Sequence, residues 1–178
     1  LTSDPTAAVE KADCTTETGV TPTLSSKTTT SITVVAVAGY EYILVADGAA
    51  VNTGTWQDSN EFTGLLANTA YDIYQRVKET ATHKASKVSA KIDATTDAAI
   101  LTGTATITGS AIFGQTLTAS LTGGNNTGTL SYQWTRNGSD ITGATGSAYT
   151  LIEDDISTLI RVKITSSVQT GTLTSDPT

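Results

Sequence analysis

From Thr23 onward the chain is written in short β-branched runs divided by turn residues, a pattern that suits sheet far better than helix. Residues 31–37 (SITVVAV) and 40–46 (YEYILVA) are two such runs, the second closed by Asp47-Gly48, a strong hairpin signal. Residues 53–57 (TGTWQ) and 61–65 (EFTGL) are shorter. Residues 71–78 alternate with period two: Tyr71, Ile73 and Val77 point one way, and Asp72, Tyr74, Arg76 and Lys78 the other. The same rule over residues 86–94 predicts Val88, Ala90 and Ile92 inward, with Lys87, Ser89 and Lys91 outward. Composition agrees, since 38 of the 178 residues are Thr, whose branched Cβ favours a pleated strand over a helix. The expected fold class is all-β.

A second series of strands occupies residues 103–165. At 178 residues the chain has room for two sandwiches of about 80–90 residues, each with one modest core. Residues 93–99 (DATTDAA) form a short polar junction between them. Residues 13–22 (DCTTETGVTP) lack periodicity, carry Gly19 and Pro22, and read as a linker. The expected division is therefore residues 1–12, a linker at 13–22, a first domain at 23–97 and a second at 98–178.

One hexapeptide occurs at both ends. Residues 1–6 and residues 173–178 both read LTSDPT, 172 positions apart (residue 1 against residue 173). Repetition decides what counts as one structural unit. The favoured reading is one period of a tandem array, running slightly into the next period; an added flank is the plainer alternative. On the first reading, residues 7–11 (AAVEK) are the continuation that the rear copy would have in the array. Residues 1–12 are then the last strand of a preceding unit of the second domain's kind, and the rear strand stops short of this continuation. Strand sharing through Leu1, Thr2, Ala7, Val9 and Leu173 would close the edge by β-addition. The front segment is accordingly expected to pack away from residues 23–97. With neither a leader nor any Met, the sequence reads as the interior of a longer or processed chain.

Two resemblances sharpen the fold. Residues 66–71 (LANTAY) resemble the Leu, turn and Tyr that lead into the penultimate strand of fibronectin type III domains. The surrounding residues 22–97 are similar to fibronectin-like repeats of bacterial surface proteins. Residues 114–119 (GQTLTA), 132–138 (YQWTRNG) and 143–151 (GATGSAYTL) resemble bacterial immunoglobulin-like repeats, with Ser157 standing where Gly is expected in a turn. That resemblance implies that Trp134 fills the space between two sheets. Together they imply a tandem pair of β-sandwiches, fibronectin type III-like and then immunoglobulin-like, at an extracellular cell surface: a fibre, adhesin stalk or surface-layer repeat.

A net charge of −7 argues against nucleic acid as a partner, because phosphates demand a basic footprint. No apolar run approaches the length of a membrane span. Little in the sequence suggests catalysis, a metal or a cofactor. His83 is the only His and reads as a solvated turn residue. The run Glu153-Asp154-Asp155 lacks the spacing of a Ca²⁺ loop and reads as a polar turn. Cys14 is the only Cys, either a plain linker thiol or one that pairs between molecules. Asn125 and Asn137 open glycosylation sequons.

Arg76, Lys78, Lys84, Lys87 and Lys91 form a basic patch in an acidic chain. By parity Arg76 shares a face with Lys78, and Lys87 with Lys91. The patch is either a solvated sheet face that discourages edge pairing or a docking stripe for an acidic neighbour or anionic wall polymer. Tyr40, Tyr42, Trp56 and Tyr74 offer sugar rings an aromatic platform, although core packing is the expected use of Trp56 and of at least one Tyr. The expected partners are copies of the same repeat, with cell-wall or host glycan as the alternative, and a spacer of a secreted glycanase as another.

Overall fold

The computed structural model describes residues 10–14 and 16–178. It divides between Asp97 and Ala98 into two compact units. Each is a β-sandwich, so the chain is an all-β tandem of two sandwich domains. Among the described residues no helix is long and apolar enough to cross a membrane.

The first unit runs β1 (Leu24–Lys27), β2 (Ser31–Val34), β3 (Tyr40–Ala46), β4 (Glu61–Thr63), β5 (Ala70–Val77) and β6 (Ile92–Thr95). One sheet has the order β1-β2-β4 and the other β3-β5-β6. Ile32 and Val34 of β2, Tyr42 of β3, Phe62 of β4, Ile73 of β5 and Ala94 of β6 close the core between them. Alternation delivers these side chains to one side of each strand. The hairpin between β1 and β2 is tied by Thr28, whose Oγ1 accepts from the N–H groups of Thr30 and Ser31.

The second unit runs β7 (Thr104–Thr108), β8 (Thr116–Thr122), β9 (Leu130–Arg136), β10 (Ser139–Asp140), β11 (Ala148–Thr150), β12 (Ile160–Ser166) and β13 (Leu173–Thr174). Its sheets are β11-β8-β7 and β10-β9-β12-β13. Trp134 is 0% exposed, surrounded by Leu117, Leu151, Ile160, Val162 and Ile164. Its indole N–H donates to Gly146 O at 2.9 Å and its ring stacks on Tyr149, with centroids 5.6 Å apart. The turn between β9 and β10 is Asn137-Gly138, both left-handed (φ 49° and 86°), as a two-residue hairpin demands. Ser157, flagged by sequence as replacing Gly, does adopt a positive φ of 61°.

Three sequence expectations change in the first unit. The expected linker at 13–22 is not free over its described residues 13–14 and 16–20, nor is Ala12 before it. Ala12 N–H donates to Thr82 O, Lys84 N–H to Ala12 O, Lys87 N–H to Glu17 O and Gly19 N–H to Lys87 O. Gly19 fits because a Cβ there would lie 2.7 Å from Gln75 O. Residues 10–12 likewise lie along residues 79–84, with Lys11 paired to Glu79. This part of the front segment does pack on the first domain; residues 1–9 lie outside the described residues. Residues 86–94 are not one regular strand either. Ser86 and Ser89 turn inward, where their hydroxyls accept from Val77 N–H and Gln75 N–H, and they displace Ala90 to the surface. Finally, residues 51–57 fold over the outer face of β3. This places Gly54 against Ile43 and Val45 and leaves Trp56 half-buried outside the core.

Candidate functional site

The rear hexapeptide is a working part of the second sandwich. Leu173 and Thr174 pair with Ile164 and Lys163 of β12. The pairing then continues past β13, because Ser175 N–H donates to Val162 O and Thr178 N–H to Ile160 O. Ser175 is 2% exposed, and its hydroxyl accepts the Val162 N–H at 3.1 Å, while its carbonyl accepts from Arg161 Nη1. The rear strand thus runs alongside β12 to its first residue, Ile160. The open edge expected beside β12 is filled by the chain's own residues, since Ser175 turns its hydroxyl to the strand and keeps the ladder going. Ser175→Ala is expected to leave the buried Val162 N–H without its side-chain acceptor and to cost about 1–3 kcal/mol. Denaturant unfolding of the full chain, read with amide exchange at Val162, checks it.

Among the described residues, the pole beyond Ile160 stays uncovered. A groove of about 450 Å³ opens there, lined by Ala111, Phe113, Leu151, Ile152, Ile156 and Ile160 together with the polar Asp155, Ser157, Thr158 and Thr178. Around it Ile112, Phe113, Ile156 and Leu159 are each more than half exposed, and Ile152 nearly so. Lone apolar side chains on a surface need no account, but a contiguous set around a groove marks a contact surface. Two short connections hold the patch in place, residues 109–115 after β7 and residues 151–159 before β12.

The floor of that second connection is set by Asp155. Its carboxylate accepts from Arg136 Nε at 2.7 Å, Tyr149 OH at 2.8 Å and Ile152 N–H at 2.8 Å. Burial pushes the acid up, but the Ile152 N–H, Arg136 and Tyr149 together outweigh it and hold it below the usual carboxylate range. Asp155 therefore has a structural role as the anchor of this turn.

The residues expected to serve docking are dispersed. Tyr42 is buried, with its hydroxyl accepting from Val37 N–H, and Tyr40 packs against the same core. Tyr74 sits on the opposite face of the sheet, across from Ile43. The three rings form no common platform, because Tyr40 and Tyr42 turn to the core and Tyr74 to the opposite face. Arg76 is bonded to Glu41 and stacks over Trp56 at 4.1 Å, Lys78 pairs with Asp58, and Lys84 lies 3.9 Å from Glu10. Lys91 pairs with both Asp72 and Asp93. Among the described residues, Arg76, Lys78, Lys84 and Lys91 of the stripe thus each have a carboxylate partner within the first unit. Cys14 is a half-buried free thiol. Asn125 and Asn137 hold the backbone: Asn125 bridges Thr102 and Ile100, and Asn137 accepts from Leu159 N–H.

One cluster had no signal in the sequence. Asp47, Asp72 and Asp93 bring one carboxylate oxygen each to within 4.8 Å of one another. They come from the end of β3, from β5 and from β6, and the register Asp72↔Asp93 places two of them opposite each other. Lys91 reaches into the cluster, and its hydrogen bond is the main reason Asp72, although buried, is held below the carboxylate range. The ammonium group serves as the counter-ion of this cluster.

No family model matches the chain, and no curated protein matches it. Among solved structures, a two-domain fibronectin type III segment of chicken tenascin is similar, with 20% identity and a TM-score of 0.51, covering 88% of this chain and 95% of that one. At that identity the likeness is one of fold. It spans both units, each of which divides its strands between two sheets.

Proposed function

We propose that this chain is a structural repeat of an extracellular bacterial surface fibre, adhesin stalk or surface-layer protein, and that successive copies are coupled by strand sharing. One observation carries the reading: the sequence LTSDPT stands at both ends, and its rear copy is built into the second sandwich as a strand through Leu173 and Ser175. A segment with that structural role, present again 172 residues upstream, is what a tandem period contains. The front copy then has an equivalent place on the sandwich that precedes it. In such an array each domain contacts its neighbours, and stability is approximately a sum of unit and interface terms. The tenascin segment, a tandem of two fibronectin type III domains, supports the architecture.

The glycan-binding alternative draws less support, since Tyr42 is buried and Arg76, Lys78 and Lys91 are bonded to carboxylates. The intact mass of the native polypeptide tests the array. Several copies of the 172-residue period in one chain are expected; a native chain holding a single copy, near 18.3 kDa, would overturn the covalent array.

A further inference from the structure

The groove at the pole of the second unit begins where the rear hexapeptide ends, with Thr178 as part of its lining and Phe113, Ile152 and Ile156 as its apolar side. Resting on the repeat reading above, we infer that the groove is the seat of residues Ala7, Ala8 and Val9 of the following copy. Three features converge on this occupant. The first is continuity of direction. Thr178 N–H still donates to Ile160 O, so residues that follow Thr178 start at the groove mouth. Three residues in extended conformation would span about 10 Å.

The second is chemistry. The front copy of LTSDPT runs on into AAVEK, two small residues and a Val before the first charge. The groove is walled by Phe113, Ile152 and Ile156, all substantially exposed. In a strand, Ala7 and Val9 share one face, so both apolar side chains turn to the groove together. The third is length. Lys11 and Ala12 are already bound to the first unit, Lys11 to Glu79 and Ala12 to Thr82. Between a hexapeptide committed to one sandwich and Ala12 committed to the next, Ala7 to Val9 are the apolar residues left to cover the pole. The groove thus joins successive copies, with the shared strand extended over a surface that neither copy covers alone.

The test lengthens the full chain after Thr178 by Ala-Ala-Val-Glu-Lys, the residues that come after the front hexapeptide. The expected result is new amide protection in the added residues, chemical-shift changes at Phe113 and Ile156, and a rise of about 4–8 °C in the unfolding temperature of the second unit. An extension carrying Asp in place of its Val, and the Ile156→Asp variant of the extended chain, are expected to lose all three effects. Ile156 is 60% exposed, so its replacement leaves the fold in place. Added residues that exchange freely, with Phe113 and Ile156 unmoved, would overturn the inference. So would self-association of the unextended chain through this pole, which assigns the groove to a second groove instead of to the segment. Failure here is separable from failure of the array: a multi-copy native chain whose added residues stay off the groove removes this inference alone.

Discussion

Trp134→Ala is expected to destabilise the second unit by about 3–5 kcal/mol, the cost of emptying a large aromatic site in a packed core. The side chain is 0% exposed and bridges the two sheets from β9. Its removal takes away contacts with Leu117, Val162 and Ile164, the stack on Tyr149, and the bond that fixes Gly146. A domain of about 80 residues has on the order of 4–12 kcal/mol in total, so the loss consumes a large share of its stability. Amide exchange at Val162 and Ile164 reads the effect in the second unit, and Trp56 fluorescence monitors the first unit in the same sample. Trp134→Phe keeps a ring against Tyr149 and is expected to cost clearly less. Equal losses for the two variants would mean that Gly146 O, and not the volume, was the point of attachment.

The place of Trp134 was legible through the resemblance of residues 132–138 to immunoglobulin-like repeats, which implies a Trp between the two sheets. The strands were legible from the residues themselves, because period-two patterning reports one buried face at a time. Trp56 misled, because nothing local shows that residues 51–57 cross the outer face of β3, where Arg76 covers the ring. Ser86 and Ser89 broke the parity of their stretch by using hydroxyls in place of ladder bonds, a substitution that alternation cannot register. Residues 13–22 lacked periodicity and looked like linker, yet the bonds of Glu17 and Gly19 run from backbone to backbone and need no side-chain pattern. The cluster of Asp47, Asp72 and Asp93 depends on strand register, a long-range property. The groove was hidden more thoroughly: most of its apolar residues sit in the connections at 109–115 and 151–159, which only the fold brings to one pole.

The turn that carries half of that groove rests on Asp155, and Asp155→Asn is expected to cost the second unit about 3 kcal/mol. This is the low end for breaking a buried ion pair, because Arg136 keeps a quarter of its side chain in water. An amide at this position supplies one acceptor oxygen to three donors and faces at least one of them with its own N–H. Arg136 already has one buried nitrogen, Nη2, without a partner, so it has little capacity to compensate. Pairing Asp155→Asn with Arg136→Leu removes the stranded cation and is expected to recover part of the loss. The pH dependence comes from the depressed pKa of Asp155. Its contribution is fully present above the unfolded value of about 4 and is lost as pH falls through the lower folded value. The free energy of opening at Val162, obtained from exchange corrected for the intrinsic rate at each pH from 6 downward, is therefore expected to fall below about pH 4 more steeply in the native sequence than in Asp155→Asn. Identical acid branches would place the depression elsewhere, and the anchoring of residues 151–159 would then depend on Tyr149 and the Ile152 backbone instead of on the charge.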